Sequence, residues 1–195
     1  MWVGMISPHL TLDKVACLRG GRLLFEGLSL SLAAGEAVIV VGPNGTGKSS
    51  LLRLAAGLLE PAAGRVIRAG RLALAAEAAA LDERLPLAQA LAFWAGLDGG
   101  GAADVTRGLR ATGLEPIAEV PVRLLSTGQR RRATLARVVA SNAPIWLLDE
   151  PGNGLDTASL DALAGAMAGH RAGGGIILAA SHQPLGLGDA REISL

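Results

Sequence analysis

Three short apolar runs stand out from an otherwise mixed chain. Ala37-Val38-Ile39-Val40-Val41 is continuous and β-branched, Ile145-Trp146-Leu147-Leu148 is equally apolar, and Gly175-Ile176-Ile177-Leu178-Ala179-Ala180 is the third. Runs this short, without polar alternation, predict strands buried on both faces, as in a parallel sheet covered by helices. A glycine-rich turn follows the first run, and Ser50-Leu51-Leu52-Arg53-Leu54-Ala55-Ala56 then has helical composition. Ser126 and Gln129 stand three apart before a helix-like stretch over residues 130–140, the spacing of a capping box. Asp98-Gly99-Gly100-Gly101 reads as a flexible connection.

Length and composition narrow the class. The 195 residues fit one domain with room for an inserted subdomain. A net charge of +1 gives no field to gather nucleic acid or anionic lipid, and 3% aromatic residues leave few platforms for stacking bases. The lone Cys17 rules out an internal disulfide and a multi-cysteine metal site, and suits a reducing compartment. No stretch reaches the roughly 18 apolar residues that span a bilayer. The best candidate, residues 72–81, is short and carries Glu77. With no secretory leader pattern either, the chain is expected in the cytoplasm, reaching a membrane only through partners.

The turn after the first strand supplies the first chemistry. Gly42-Pro43-Asn44-Gly45-Thr46-Gly47-Lys48-Ser49, followed by Ser50, has the strand–loop–helix setting of a Walker A motif. Its glycines let backbone N–H groups point inward around phosphate oxygens, and the helix N-terminus adds its dipole. Lys48 is expected to reach the β- and γ-phosphates of ATP, and the Ser49 hydroxyl to ligate Mg²⁺. The second apolar strand ends in Asp149-Glu150, at the carboxyl end where parallel sheets bind ligands. Asp149 is the candidate to hold Mg²⁺ through a water, and Glu150 to accept a proton from, or orient, the attacking water.

The order of motifs is more specific than any one of them. The Gly42 loop, Leu125-Ser126-Thr127-Gly128-Gln129, the strand ending in Asp149-Glu150-Pro151, Gly154-Leu155-Asp156 and Ser181-His182 together resemble the ABC ATPases over nearly the whole chain. The resemblance implies an α/β P-loop core with an N-terminal antiparallel β-portion and an inserted helical subdomain at about residues 87–125. It implies that two copies pair head to tail, so that Ser126, Gly128 and Gln129 serve the ATP held by the partner copy. Asp156 would then belong to the loop that communicates across the pair, and His182 would sense the γ-phosphate and help order Glu150. Phe93 and Trp94 lie in the arm where the family docks its membrane partner, one of them expected to pack inside. His9 and His170 lack such a setting and are read as surface residues.

Within the family, residues 12–30, 121–138 and 145–151, Ser181-His182-Gln183-Pro184-Leu185 and the ending Arg191-Glu192-Ile193-Ser194-Leu195 look like the cytochrome c maturation ATPases, the haem-exporter ATP-binding subunits. That implies integral membrane subunits of a cytochrome c maturation complex as partners. It also implies a place at the cytoplasmic face of the bacterial inner membrane, and Cys17 as buried filler. The ending is read as lying past the last strand. Two alternatives stay open: an ABC ATPase serving another cargo, and a soluble ABC protein without membrane partners. Three departures from the family are visible. Residues 70–85 are short, which trims the antiparallel subdomain. Glu77 takes the place of the glutamine that usually approaches Mg²⁺. No aromatic accompanies Leu18 and Arg19 to stack adenine, leaving Arg19 as the candidate. Gly152-Asn153-Gly154 also predicts an unusually mobile loop before Leu155.

Overall fold

The structure, a computed structural model, describes residues 7–76 and 81–195. Strands β1 (His9–Arg19) and β2 (Arg22–Leu32) form a hairpin, and β3 (Ala37–Val41) leads into helix α1 (Lys48–Ala56). After β4 (Ala63–Ala69) and β5 (Leu72–Ala75) come α2 (Leu87–Leu97), α3 (Ala102–Ala111) and two 3₁₀ turns, Glu115–Ile117 and Val122–Leu124. The chain ends with α4 (Thr127–Ala140), β6 (Ile145–Asp149), α5 (Thr157–Ala172), β7 (Ile176–Ala180) and β8 (Arg191–Ser194). β2, β1 and β4 make an antiparallel sheet, and β5, β6, β7, β3 and β8 make a parallel one in that order.

Each apolar run became a central strand because both of its faces are covered. Val38, Val40, Ile145, Leu147, Ile176 and Leu178 face a core shared with β1 and α1. Ala37, Ile39, Trp146, Leu148, Ile177 and Ala179 face a second core under α4 and α5. Burying such a large aliphatic side chain contributes about 1.5–3 kcal/mol, so a polar residue on either face would be costly. A third core joins α2 and α3 to α4 through Leu87, Leu91, Leu109, Leu114, Ala133 and Ala136. Helix α4 therefore belongs to two cores, sending Leu135 and Val138 to the sheet and Ala133 and Ala136 to the arm. Among the described residues no helix is long and apolar enough to cross a membrane.

Three expectations are corrected. The ending is a strand: β8 pairs in parallel with β3, and of its four residues Ile193 alone packs against the core, followed by Leu195, which is why no apolar run announced it. His170 is not a surface residue. The last turn of α5 lays its ring on Trp146, 3.9 Å between centroids and 11° from parallel, and Gly175 leaves the imidazole room. Burial lowers its pKa to about 4, only partly offset by backbone hydrogen bonds at Ile176 and Pro144. The connection at residues 98–101 is pinned. Gly100 N–H donates to Ala95 O at 2.7 Å and Gly101 N–H to Asp104 Oδ2 at 2.8 Å, closing α2 and opening α3.

Candidate functional site

The phosphate loop leaves the carboxyl end of β3 and enters α1 with no side-chain cap and no acid in the helix's first turn. The first helical N–H groups therefore have no intrahelical partner and face the loop with the positive end of the dipole. Gly47, at φ 113°, is the N-cap, and a Cβ there would press on the Phe25 ring at 3.0 Å. Gly42, at φ 143°, passes so close to the backbone of Leu195 that a Cβ would lie 2.6 Å from its carbonyl oxygen. Lys48 is only 6% exposed, and its Nζ donates to Gly42 O at 2.7 Å and Pro43 O at 3.1 Å. Thr46 Oγ1 donates to Pro43 O at 3.0 Å, while Asn44 and Gly45 stand exposed. The loop thus holds a desolvated ammonium among free N–H groups, a cradle for a polyanion. Ser50 turns to Cys17, whose thiol is pushed up by burial against the Ser50 hydrogen bond.

The acids come from the end of β6. Burial raises the pKa of Asp149, opposed by a hydrogen bond with Ser49 and reinforced by the neighbouring Glu150 charge. Asp149 Oδ1 is buried with no hydrogen-bond partner among the described residues. A hydroxyl and an under-satisfied carboxylate oxygen side by side are a donor set for a hard cation that completes its shell with phosphate and water, and Mg²⁺ fits it. Glu150 follows in the left-handed region, at φ 48°, its N–H tied to Ala180 O at 2.9 Å. For a non-glycine residue that conformation costs on the order of 1–3 kcal/mol, so surrounding bonds must hold it. Its Oε2 lies 2.7 Å from Nδ1 of His182. His182 is set by the buried Ser181, whose N–H donates to Val40 O at 3.1 Å and whose Oγ donates to Gln183 O at 2.7 Å.

Adjacent carboxyl ends of β3, β6 and β7 thus bring the Gly42 loop, Asp149, Glu150 and His182 together. A cleft of about 380 Å³ opens there, lined by Asn44, Ser49, Asp149, Glu150, Arg131 and Asn153 among others. The structure does not bring Ser126 to this cleft. It stands exposed at the head of α4 in a reciprocal capping box, Ser126 N–H to Gln129 Oε1 at 2.8 Å and Gln129 N–H to Ser126 Oγ at 3.2 Å. Asp156 is exposed too and caps α5, accepting from Ser159 N–H at 2.8 Å; hydrogen bonds with the Ser159 side chain first and its backbone N–H second lower its pKa. Glu77 lies outside the described residues.

Two residues of the site went unremarked in the sequence. Phe25, opposite Cys17 in the hairpin, packs on Gly47, placing an aromatic beside the phosphate loop although none follows Leu18. Leu18 and Leu23 form an exposed cross-strand pair at the same end. Arg131 reaches the cleft from α4, and its Nη1 donates to Asn153 O at 2.9 Å. The only signal for it was its place in Arg130-Arg131-Arg132, on the helix of the motif.

Residues 25–153 match the family described as ABC transporter. The chain is 59% identical over 184 residues to the cytochrome c biogenesis ATP-binding export protein CcmA of Sphingopyxis alaskensis, covering 94% of this chain and 95% of that protein. It is 46% identical to the protein of the same name from Rhodospirillum rubrum, covering 94% and 84%. A solved bacterial Atm1-family ABC exporter with ATP bound matches with a TM-score of 0.82 and 25% identity, over 99% of this chain and 38% of that one. The ATP-binding subunit of another ABC transporter matches at 0.78 and 26% identity, over 88% and 79%. The motifs, the sheet that gathers them and these likenesses agree, and the chain belongs to the ABC transporter family, in the group of the cytochrome c biogenesis ATP-binding export proteins.

Proposed function

We propose that this ABC ATPase couples ATP binding and hydrolysis to haem export and haem-chaperone release in c-type cytochrome assembly, as two copies bound to integral membrane subunits. The observation that carries the hydrolytic part is the 2.7 Å pairing of Glu150 with His182 beside the Asp149–Ser49 pair, all at the mouth of one phosphate loop. The close relatives named for cytochrome c biogenesis support the purpose.

In this reading residues 42–50 wrap the ATP phosphates, with Lys48 turning from the loop carbonyls to the β- and γ-oxygens. Ser49 and Asp149 would hold Mg²⁺, which when bound neutralises charge on the phosphates. Glu150 accepts a proton as the water oxygen bonds to the γ-phosphorus and the bond to the bridging oxygen of ADP breaks. His182 holds the carboxylate in place and senses the γ-phosphate. Ser126, Gly128 and Gln129 complete the site of the other copy, which is why they sit at a helix head, Ser126 exposed and the other two half-buried, instead of in their own cleft. Asp156 caps the helix beside that contact.

The arm offers the membrane subunits a surface. Phe93 is 60% exposed and Leu97, one turn on, 66%, whereas Trp94 turns inward against the Arg137 guanidinium at 5.0 Å. Placement at the cytoplasmic face of the inner membrane follows from that docking.

Deleting the gene and restoring it with wild-type or Glu150→Gln chain tests the proposal in cells. Covalently bound haem in c-type cytochromes should vanish on deletion, return with the wild type and stay absent with the variant. Normal cytochrome c haemylation in the deletion strain would contradict the assigned purpose.

A further inference from the structure

The turn that carries Glu150 is gripped from outside the phosphate site. We propose that Arg131 of α4 is a positioning residue for hydrolysis, holding the segment 150–154 so that Glu150 keeps its left-handed backbone and meets the water. The inference deepens the role given to Glu150 above and rests on it.

The chain of contacts is short. Arg131 Nη1 donates to Asn153 O at 2.9 Å, and Asn153 N–H donates to Glu150 O at 3.1 Å. One residue, Asn153, therefore separates the guanidinium from the backbone of Glu150, whose φ of 48° needs such restraint. The neighbouring turn of α4 runs close beside the same segment: a Cβ at Gly128 would lie in ordinary contact with Gly154 O at 3.7 Å, and one at Gly154 with Arg131 Nη1 at 3.9 Å. On the opposite flank the side chain of Gln183, next to His182, packs on Gly152. The segment is thus clamped between the helix of the signature motif and the loop of His182. A glycine-flanked Asn153, which on composition alone predicts mobility, is bonded through both its N–H and its carbonyl.

The residue type suits the task. An arginine reaches across from the helix with a planar fork, one arm of which caps the carbonyl while the head lines the cleft beside Asp149 and Glu150. Arg131 touches no part of the phosphate loop in these contacts, so its loss should release Glu150 and leave nucleotide binding intact. Because Ser126 and Gly128 head the same helix, a shift of that head on a partner's nucleotide is carried by Arg131 to the carboxylate of its own chain.

The test compares Arg131→Met and Arg131→Lys with the parent and with Glu150→Gln, in ATP turnover, fluorescent-ATP affinity and thermal midpoint. Arg131→Met should lower kcat about ten-fold or more while KM, nucleotide affinity and midpoint stay within about two-fold or a degree or two of the parent. Arg131→Lys, which keeps a cationic donor, should recover part of the loss. Unchanged kcat in Arg131→Met, or a fall matched by equal losses of affinity and midpoint, would overturn the inference. Turnover retained by Glu150→Gln would instead overturn the role of Glu150 and the inference with it.

Discussion

Oε2 of Glu150 and Nδ1 of His182 lie 2.7 Å apart, although 32 residues separate them in the chain. The pair forms because β6 and β7 are parallel neighbours, so that their carboxyl ends, Asp149 beside Ala180, deliver the two side chains to one spot. Replacing His182 by Ala should lower kcat by roughly 10²–10⁴, the span for a lost acid–base partner, and change ATP affinity little. Steady-state phosphate release beside a binding titration checks this, and parity with wild type in kcat would remove His182 from the hydrolytic group.

Lys48 is almost wholly buried and bonded to the carbonyls of Gly42 and Pro43. Lys48→Ala should weaken ATP binding by roughly 10- to 150-fold, the worth of about 1.5–3 kcal/mol for a hydrogen bond to a charged group. Isothermal titration with a non-hydrolysed ATP analogue measures it, and an unaltered affinity would contradict the phosphate-loop assignment.

Asp149 is held above its ordinary pKa, chiefly by burial. A carboxyl with a raised folded-state pKa costs stability at every pH above that value, because the unfolded chain ionises first. Asp149→Asn should therefore raise the thermal midpoint of the nucleotide-free protein at pH 7, and the gain should shrink as pH falls toward the unfolded-state value. The same variant should lose the extra stabilisation that Mg²⁺ adds to ATP. A lower nucleotide-free midpoint in the variant would show that the buried carboxylate supports the fold.

His170, with its pKa lowered to about 4, contributes the opposite slope. Its neutral ring is favoured on Trp146, so stability is full above the unfolded-state pKa of about 6.5 and falls as pH drops from there toward 4. His170→Phe keeps a ring on Trp146 without a titrating group and should flatten this part of the curve. Denaturant midpoints between pH 7 and pH 4 report it; parallel curves for the two proteins would place the acid sensitivity elsewhere.

What could be read from the sequence follows from how local each signal is. The strands β3, β6 and β7 are buried on both faces, so each shows as an unbroken apolar run, and the glycines and Lys48 after β3 carry their chemistry in eight consecutive positions. The Ser126–Gln129 capping box is equally local, and its bonds are present. β8 was not visible because Arg191-Glu192-Ile193-Ser194 is an edge strand with one inward residue. His170 was misread because its partner Trp146 lies on another element, and a histidine late in a helix looks solvated until something packs beneath it. Arg131 and Phe25 were missed for the same reason: each matters through one long-range contact, to Asn153 O and to Gly47.

In the proposed mechanism this cleft is half of an ATP site, and Ser126 and Gly128 of a second copy supply the other half. The most direct measurement is the light-scattering mass of Glu150→Gln with and without Mg²⁺-ATP. The variant should be a monomer that becomes a dimer on ATP addition, and should return to monomer when Ser126→Arg is added to the same chain. A Glu150→Gln chain that binds ATP to saturation and stays monomeric would contradict it.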